Sequence, residues 1–202
     1  MLFALAFVAA LGQAGAVQQP AAPTTPEPAP GNPVVVIGTT LGDVTVELFK
    51  DKAPVSVENF LQYAREGFYE GTIFHRIERG FVVQGGGYLP ELVEKSTRPP
   101  IQNEATNGLR NVRGTIAMAR RRALRSATSQ FYFNLSDNVQ LDHRGYAPDD
   151  FGYAVFGRVI SGMDVVDRIG KVETQTVGDF EGVPVDPVLI KAVRIVDPPK
   201  GP

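Results

Sequence analysis

Residues 74–86 read Phe74-His75-Arg76-Ile77-Glu78-Arg79-Gly80-Phe81-Val82-Val83-Gln84-Gly85-Gly86. Two short runs with strand composition flank Arg79-Gly80, a turn pair. With side chains alternating along a strand, Phe81 and Val83 face one way and Val82 and Gln84 the other. Arg76, on the preceding run, is close enough across a sheet to share a surface with residues of the second. An arginine, a glutamine and aromatic rings on one face suit neither nucleophilic nor acid–base chemistry, because a guanidinium does not act as a base near neutral pH. They suit a reaction that needs a fixed cation, hydrogen bonds and an apolar seat, with no bond broken.

Working outward, residues 34–37 and 44–48 flank Gly38-Thr39-Thr40-Leu41-Gly42-Asp43, a hairpin signal. In the second run Val44, Val46 and Leu48 alternate with Thr45 and Glu47, so one face is core and the other wet. Pro54 opens a helix at the position where its missing N–H is harmless. Val57, Phe60, Leu61 and Ala64 form the apolar stripe of that helix, and Gly67 ends it. Further short strands are predicted at 72–77, 81–84, 114–118, 130–135 and 154–159, with a closing strand at 188–196. A second short helix is predicted over 162–169, with Met163, Val166 and Ile169 on one side. Many short strands separated by turn residues, with two helices, predict a closed β barrel rather than a parallel α/β sheet.

Bulk composition narrows the function classes. The 202-residue chain has 43% hydrophobic residues, enough for a proper core, and a net charge of −2, which gives no general attraction to nucleic acid or anionic membrane. It has no cysteine, which removes disulfides, thiol nucleophiles and zinc–thiolate sites. Its two histidines cannot build a three-histidine metal centre. No metal, nucleotide or other cofactor is expected, and no stretch approaches the roughly 20 apolar residues of a membrane span.

The first forty residues have a different character. Residues 1–11 are almost wholly apolar and are followed by Ala14-Gly15-Ala16, the pattern of a secretory signal cleaved after Ala16, although no Lys or Arg precedes the run. A buried N-terminal helix and an uncleaved anchor are the other readings. Residues 17–33, with prolines too closely spaced for helix or central strand, are expected to be an extended linker. The division is then a signal (1–16), a Pro-rich linker (17–33), a globular domain (34–197) and a tail (198–202). Export, to a periplasm or to the medium, is expected.

From Val34 to Val196 the chain resembles the cyclophilin-type peptidyl-prolyl cis/trans isomerases, and within them the bacterial periplasmic branch. The matching segments are Ala53-Pro54-Val55-Ser56-Val57-Glu58-Asn59-Phe60, residues 74–86, Gly114-Thr115-Ile116-Ala117-Met118-Ala119 and Ser126-Ala127-Thr128-Ser129-Gln130-Phe131. Leu141-Asp142, Phe151-Gly152-Tyr153-Ala154-Val155-Phe156-Gly157 and Gly162-Met163-Asp164-Val165-Val166 follow in order. The resemblance implies an eight-stranded antiparallel barrel capped by two helices, with a surface groove for Xaa-Pro segments of unfolded or partly folded exported proteins. It implies that Arg76 is the catalytic arginine, that Phe81 floors the proline pocket, and that Gln84 anchors substrate backbone. Val82 takes a pocket-wall place where many relatives carry methionine, and Leu141 falls at another wall position. Ala119 and Arg120 match the stretch that pairs with substrate backbone, and Gln130 lines the groove beside it. Tyr153 stands where eukaryotic relatives usually have histidine. His75 is expected to be structural, hydrogen-bonded behind the site, and His143 a loop residue.

A different class of function fits the same groove: a chaperone or adaptor that binds proline segments with little turnover. The basic concentration Arg110, Arg113, Arg120, Arg121, Arg122 and Arg125 reads either as a solvated loop rim, with Arg120 in the groove, or as a surface that steers acidic or unfolded clients. Nothing points to an obligate dimer, so a monomer is expected. Two positions depart from the family pattern. Tyr132 stands where most relatives carry phenylalanine, and its hydroxyl needs a partner or water. Gln140 replaces a large apolar platform, usually tryptophan or phenylalanine, so cyclosporin is expected to bind weakly. A calorimetric titration checks this, and a tight complex would refute it.

Overall fold

The computed structural model describes residues 28–196, and within them the alternation of 44–48 becomes one wall of a curled sheet. β1 (Val34–Thr39) and β2 (Gly42–Leu48) form the expected hairpin, extended by two residues at each side of its turn. Thr39 closes that turn by donating its hydroxyl to the Gly42 carbonyl at 2.7 Å and accepting from the Leu41 N–H at 3.0 Å. The remaining strands of the large sheet are β3 (Arg76–Glu78), β4 (Val82–Gly85), β5 (Thr115–Met118), β6 (Phe131–Asn134), β7 (Val155–Ser161) and β10 (Ile190–Val196). They run in the order β10-β1-β2-β7-β5-β6-β4-β3, every pairing antiparallel.

The two outer strands, β10 and β3, do not form a ladder with each other. The sheet curls until the segments just ahead of them meet, where Ile73 bridges Leu189. There the Ile190 N–H donates to the Thr72 carbonyl at 2.7 Å and the Phe74 N–H to the Val188 carbonyl at 3.0 Å. The predicted barrel is therefore present as a strongly curled sheet with a short seam, and the predicted strand at 72–77 is split between seam and β3.

α1 (Pro54–Arg65) buries Val57, Phe60, Leu61 and Ala64 as the stripe predicts, together with Tyr63. Phe60 is central to the interior, 5.0 Å from the Tyr69 ring, 5.4 Å from Phe131 and 5.5 Å from Phe156. Ala53, at the N-cap, offers no side-chain acceptor. The cap comes instead from Glu104, whose carboxylate accepts the Val55 N–H at 3.0 Å, the Ser56 N–H at 2.8 Å and the Ser56 hydroxyl at 2.7 Å. A carboxylate at this end also suits the helix dipole. α2 (Met163–Ile169) buries Val165, Val166 and Ile169, and Met163 packs partly buried against the same core. No helix among the described residues is long and apolar enough to cross a membrane.

Two features lie outside the sequence expectations. β8 (Thr174–Val177) and β9 (Phe180–Pro184) form a separate two-stranded hairpin, and β9 lies against β3. At Gly182, with φ +70°, an added Cβ would sit 2.5 Å from the Ile77 carbonyl oxygen, so only glycine allows the hairpin this close. The second feature is a polar anchor at the start of the domain. The end of the Pro-rich stretch turns at Ala29–Asn32, and the Ala29 N–H and the Asn32 side-chain amide each donate to Glu47 Oε1 at 2.8 Å. Arg158 donates to the other oxygen at 2.8 Å. The expected signal (1–16), residues 17–27 of the expected linker and the tail (198–202) lie outside the described residues.

Burial pushes the Glu47 carboxyl up, but the donors from Asn32, Ala29 and Arg158 outweigh it and hold the group below the usual carboxylate range. Glu47→Gln removes the charge that these donors need and places an amide N–H against one of them. Urea denaturation is expected to register a loss of about 2 kcal/mol.

Candidate active site

Strand register lines the site up. Arg76 on β3 is directly opposite Gln84 on β4, Gln84 is opposite Tyr132 on β6, and Tyr132 is opposite Ala117 on β5. Residues directly opposite in antiparallel strands project to the same face. These four therefore form one row across the outer surface, while Val83, Phe131 and Phe133 turn into the main core. A neighbouring row holds Glu78, Val82 and Asn134.

Around this row the outer face divides into two adjoining parts. One is an apolar cluster of Val82, Ala117, Ala119, Tyr132 and Val155, onto which Phe81, Leu109, Leu141 and Tyr153 pack. The other is a cleft of about 610 Å³ bordered by Arg76, Gln84, Ala119, Arg120 and Gln130, among others. Every sequence-predicted site residue falls in one part or the other, and Ala119 belongs to both. Phe81 corrects the simple alternation: β4 begins only at Val82, and the turn at Gly80, with φ +71°, sends Phe81 to the outer cluster rather than inward with Val83.

Hydrogen bonds fix several of these side chains. Gln84 Nε2 donates to Gln130 Oε1 at 3.0 Å, tying β4 to the residue that leads into β6. Gly87 is packed so closely on Gln130 that an added Cβ would lie 2.5 Å from its Cγ. Arg76 is 39% exposed and ion-paired through Nη2 with Glu78, two residues along on the same face of β3. That contact occupies one edge of the guanidinium, whose five N–H donors leave others for a ligand. The Tyr132 hydroxyl finds its partner in Asn111, donating to Oδ1 at 2.8 Å. Asn111 in turn donates its N–H to Asp142 at 2.7 Å and its amide to the Leu141 carbonyl at 3.1 Å. Burial raises the Tyr132 phenol well above its ordinary range, so it remains a neutral donor.

The Arg120 side chain is engaged within the protein itself. Its guanidinium donates to the carbonyls of Gly152 at 3.0 Å and Pro148 at 2.9 Å and lies 4.7 Å from the Tyr153 ring centroid. It thus pins the loop that carries Tyr153, whose ring meets Tyr132 edge-on at 5.9 Å. His75 was expected to be hydrogen-bonded behind the site. It is buried, with its ring 4.6 Å from that of Tyr88, but Nδ1 has no partner among the described residues. Burial first, and then the Arg76 guanidinium, lower its pKa to about 4 against a weaker opposing pull from the Ile73 carbonyl. The imidazole is therefore neutral near pH 7.

Sequence reasoning missed Asn111 and Glu78. For Glu78 the signal was available, since residues i and i+2 of a strand share a face. For Asn111 there was none, because it meets Tyr132 from a loop 21 residues away.

The family described as "Cyclophilin type peptidyl-prolyl cis-trans isomerase/CLD" matches residues 34–195. Peptidyl-prolyl cis-trans isomerase A of Dickeya dadantii is 51% identical over 162 residues, covering 80% of this chain and 84% of that protein. Peptidyl-prolyl cis-trans isomerase B of Escherichia coli is 49% identical over 162 residues, covering 80% and 99%. The two match to nearly the same degree, so the likeness does not single out a bacterial branch. A crystal structure of a Cryptosporidium parvum cyclophilin-type isomerase in the presence of the dipeptide Ala-Pro has a TM-score of 0.70 at 28% identity, covering 81% of this chain and 99% of that one.

The buried neutral His75 carries a pH signature. In the unfolded chain the imidazole binds a proton near its ordinary value of about 6.5, and in the folded protein only near about 4. Between those values the unfolded state holds more protons, so stability falls as the pH is lowered through this window, by about 3 kcal/mol in all. Urea melts from pH 7 to 4 are expected to trace this loss in the wild type and to lose most of it in His75→Leu. An unchanged pH slope in the variant would remove His75 as its source.

Proposed function

The chain belongs to the cyclophilin-type peptidyl-prolyl cis/trans isomerases, and from that premise we propose that Arg76 carries the reaction by stabilising the twisted Xaa-Pro amide. The isomerase acts on proline-containing peptides, and the reaction neither makes nor breaks a covalent bond. Its barrier of about 18–20 kcal/mol is set by amide resonance, and uncatalysed exchange takes tens to hundreds of seconds. Shortening that to about a millisecond means a gain of roughly 10⁴–10⁵, or about 6 kcal/mol.

The observation that carries the reading is the row Arg76–Gln84–Tyr132–Ala117 beside the apolar cluster. Phe81, Val82, Tyr132 and Leu141 hold the proline ring in an apolar seat. Gln84, kept in place by Gln130, and the backbone at Ala119–Arg120 fix the residues before and after it. Arg76 then donates to the amide as rotation localises the lone pair on the prolyl nitrogen, an interaction stronger at the twisted state than at either planar one. Glu78 holds one edge of the guanidinium, so the donors that remain are presented from a restrained group. Tyr132 keeps its hydroxyl turned toward Asn111, which leaves the ring to the proline.

The N-terminal apolar run with Ala14-Gly15-Ala16 supports export, and proline-containing segments of exported proteins during folding are then the substrates. The binding-only reading shares the groove and differs in turnover.

Isomerisation of a short Xaa-Pro peptide, followed by NMR exchange with the full chain, separates the two. Wild type is expected to accelerate exchange, and Arg76→Ala to lose about 100-fold or more in kcat/KM. Arg76→Lys is expected to recover little, because the planar fork is lost. A wild type no faster than buffer would overturn the mechanism and favour the binding module.

A further inference from the structure

The cleft that adjoins the apolar seat has walls of opposite charge. On the β3 side, the turn into β9 brings Asp179, and β9 itself Glu181, to its border. Both are exposed, and neither has an ion-pair partner among the described residues. Arg76, the cation on this side, is already paired with Glu78. On the β5 side, the loop that follows the strand brings Arg121 to the border, with Arg122 next to it. Arg120 is held down by loop carbonyls, but Arg121 and Arg122 are not. Their side chains are 79% and 83% exposed, and they reach Glu94 and Asp149 only at 3.4 and 3.3 Å. Exposed pairs of this kind are weak and exchange readily for another anion.

Topology keeps the two walls apart. β3, β4, β6 and β5 lie between them in that order, about 14 Å of sheet at the usual strand spacing. This exceeds the Debye length of about 10 Å at 0.1 M salt, so each wall presents its own sign to a ligand instead of cancelling the other.

We propose that this cleft selects proline segments by charge, taking an acidic side chain where the segment meets Arg121 and Arg122, and a basic one where it meets Asp179 and Glu181. The inference rests on the isomerase reading of the same site and assigns its preferred substrate class: segments with opposite charges flanking the proline.

The test uses the full chain and a neutral Xaa-Pro parent peptide, with one Glu or one Lys placed at successive positions on either side of the proline. For each position the ratio of kcat/KM with Glu to that with Lys is measured by NMR exchange. The ratio is expected to exceed one by about threefold at one position and to fall below one by about the same factor at another, both moving toward one at about 0.5 M salt. Arg121→Gln with Arg122→Gln is expected to abolish the first preference only, and Asp179→Asn with Glu181→Gln the second only. Ratios near one at every position, or preferences that survive both pairs of substitutions, would overturn the proposal. Failure of the isomerase reading looks different: the neutral parent is then not accelerated at all. In that event the same ratios are read from dissociation constants by chemical-shift titration, and the charge test stands.

Discussion

Backbone register across β3, β4, β6 and β5 is the constraint on which the site depends. Side chains alternate faces with a period of two, so a slip of one residue in β4 would bury Gln84 and expel Val83. The interior prevents that slip. Val83 is fully buried in one cluster with Phe131, Phe133, Phe74 and Phe60, and the slip would replace it there with the polar Gln84. Packing on the inside of the sheet thus positions the groove on the outside. The outer face needs few polar contacts of its own, and those present, Gln84 to Gln130 and Tyr132 to Asn111, orient side chains that the register has already placed.

A second theme is the use of distant polar groups where local sequence offers none. α1 begins with Ala53-Pro54 and lacks a side-chain cap, yet its first N–H groups are satisfied by Glu104. Glu47 gathers donors from the turn at Ala29–Asn32 and from Arg158 on β7. Each carboxylate joins segments that are far apart in the chain, so removing either would loosen a junction between elements as well as delete a bond.

How much of this was legible in the sequence follows from where the determining contacts lie. The β1–β2 hairpin and the stripe of α1 were readable, because burial on one face writes itself into the spacing of Val44, Val46 and Leu48 and of Val57, Phe60, Leu61 and Ala64. The β8–β9 hairpin was not, because Thr174–Val177 buries no face and leaves no alternation to find. Phe81 was misplaced by alternation, since a glycine turn resets the period just before β4 and puts its ring on the outer cluster. The site residues on strands, Arg76, Gln84 and Tyr132, were recognisable together. Asn111, which decides what the Tyr132 hydroxyl does, was not, because its role exists only once two remote segments meet.

The pairing of Val34 with Val196 puts the two ends of the domain side by side on adjacent strands, β1 and β10, neither of which supplies a side chain to the groove. The two ends of the described domain therefore leave it at one corner. The same geometry has a mechanical side. Tension applied through both ends would load the β1–β10 ladder one hydrogen bond at a time, as a zipper, and not all at once in shear. The fold would then yield to pulling from its termini more easily than its buried core suggests, and it would begin to yield at the edge farthest in strand order from Arg76.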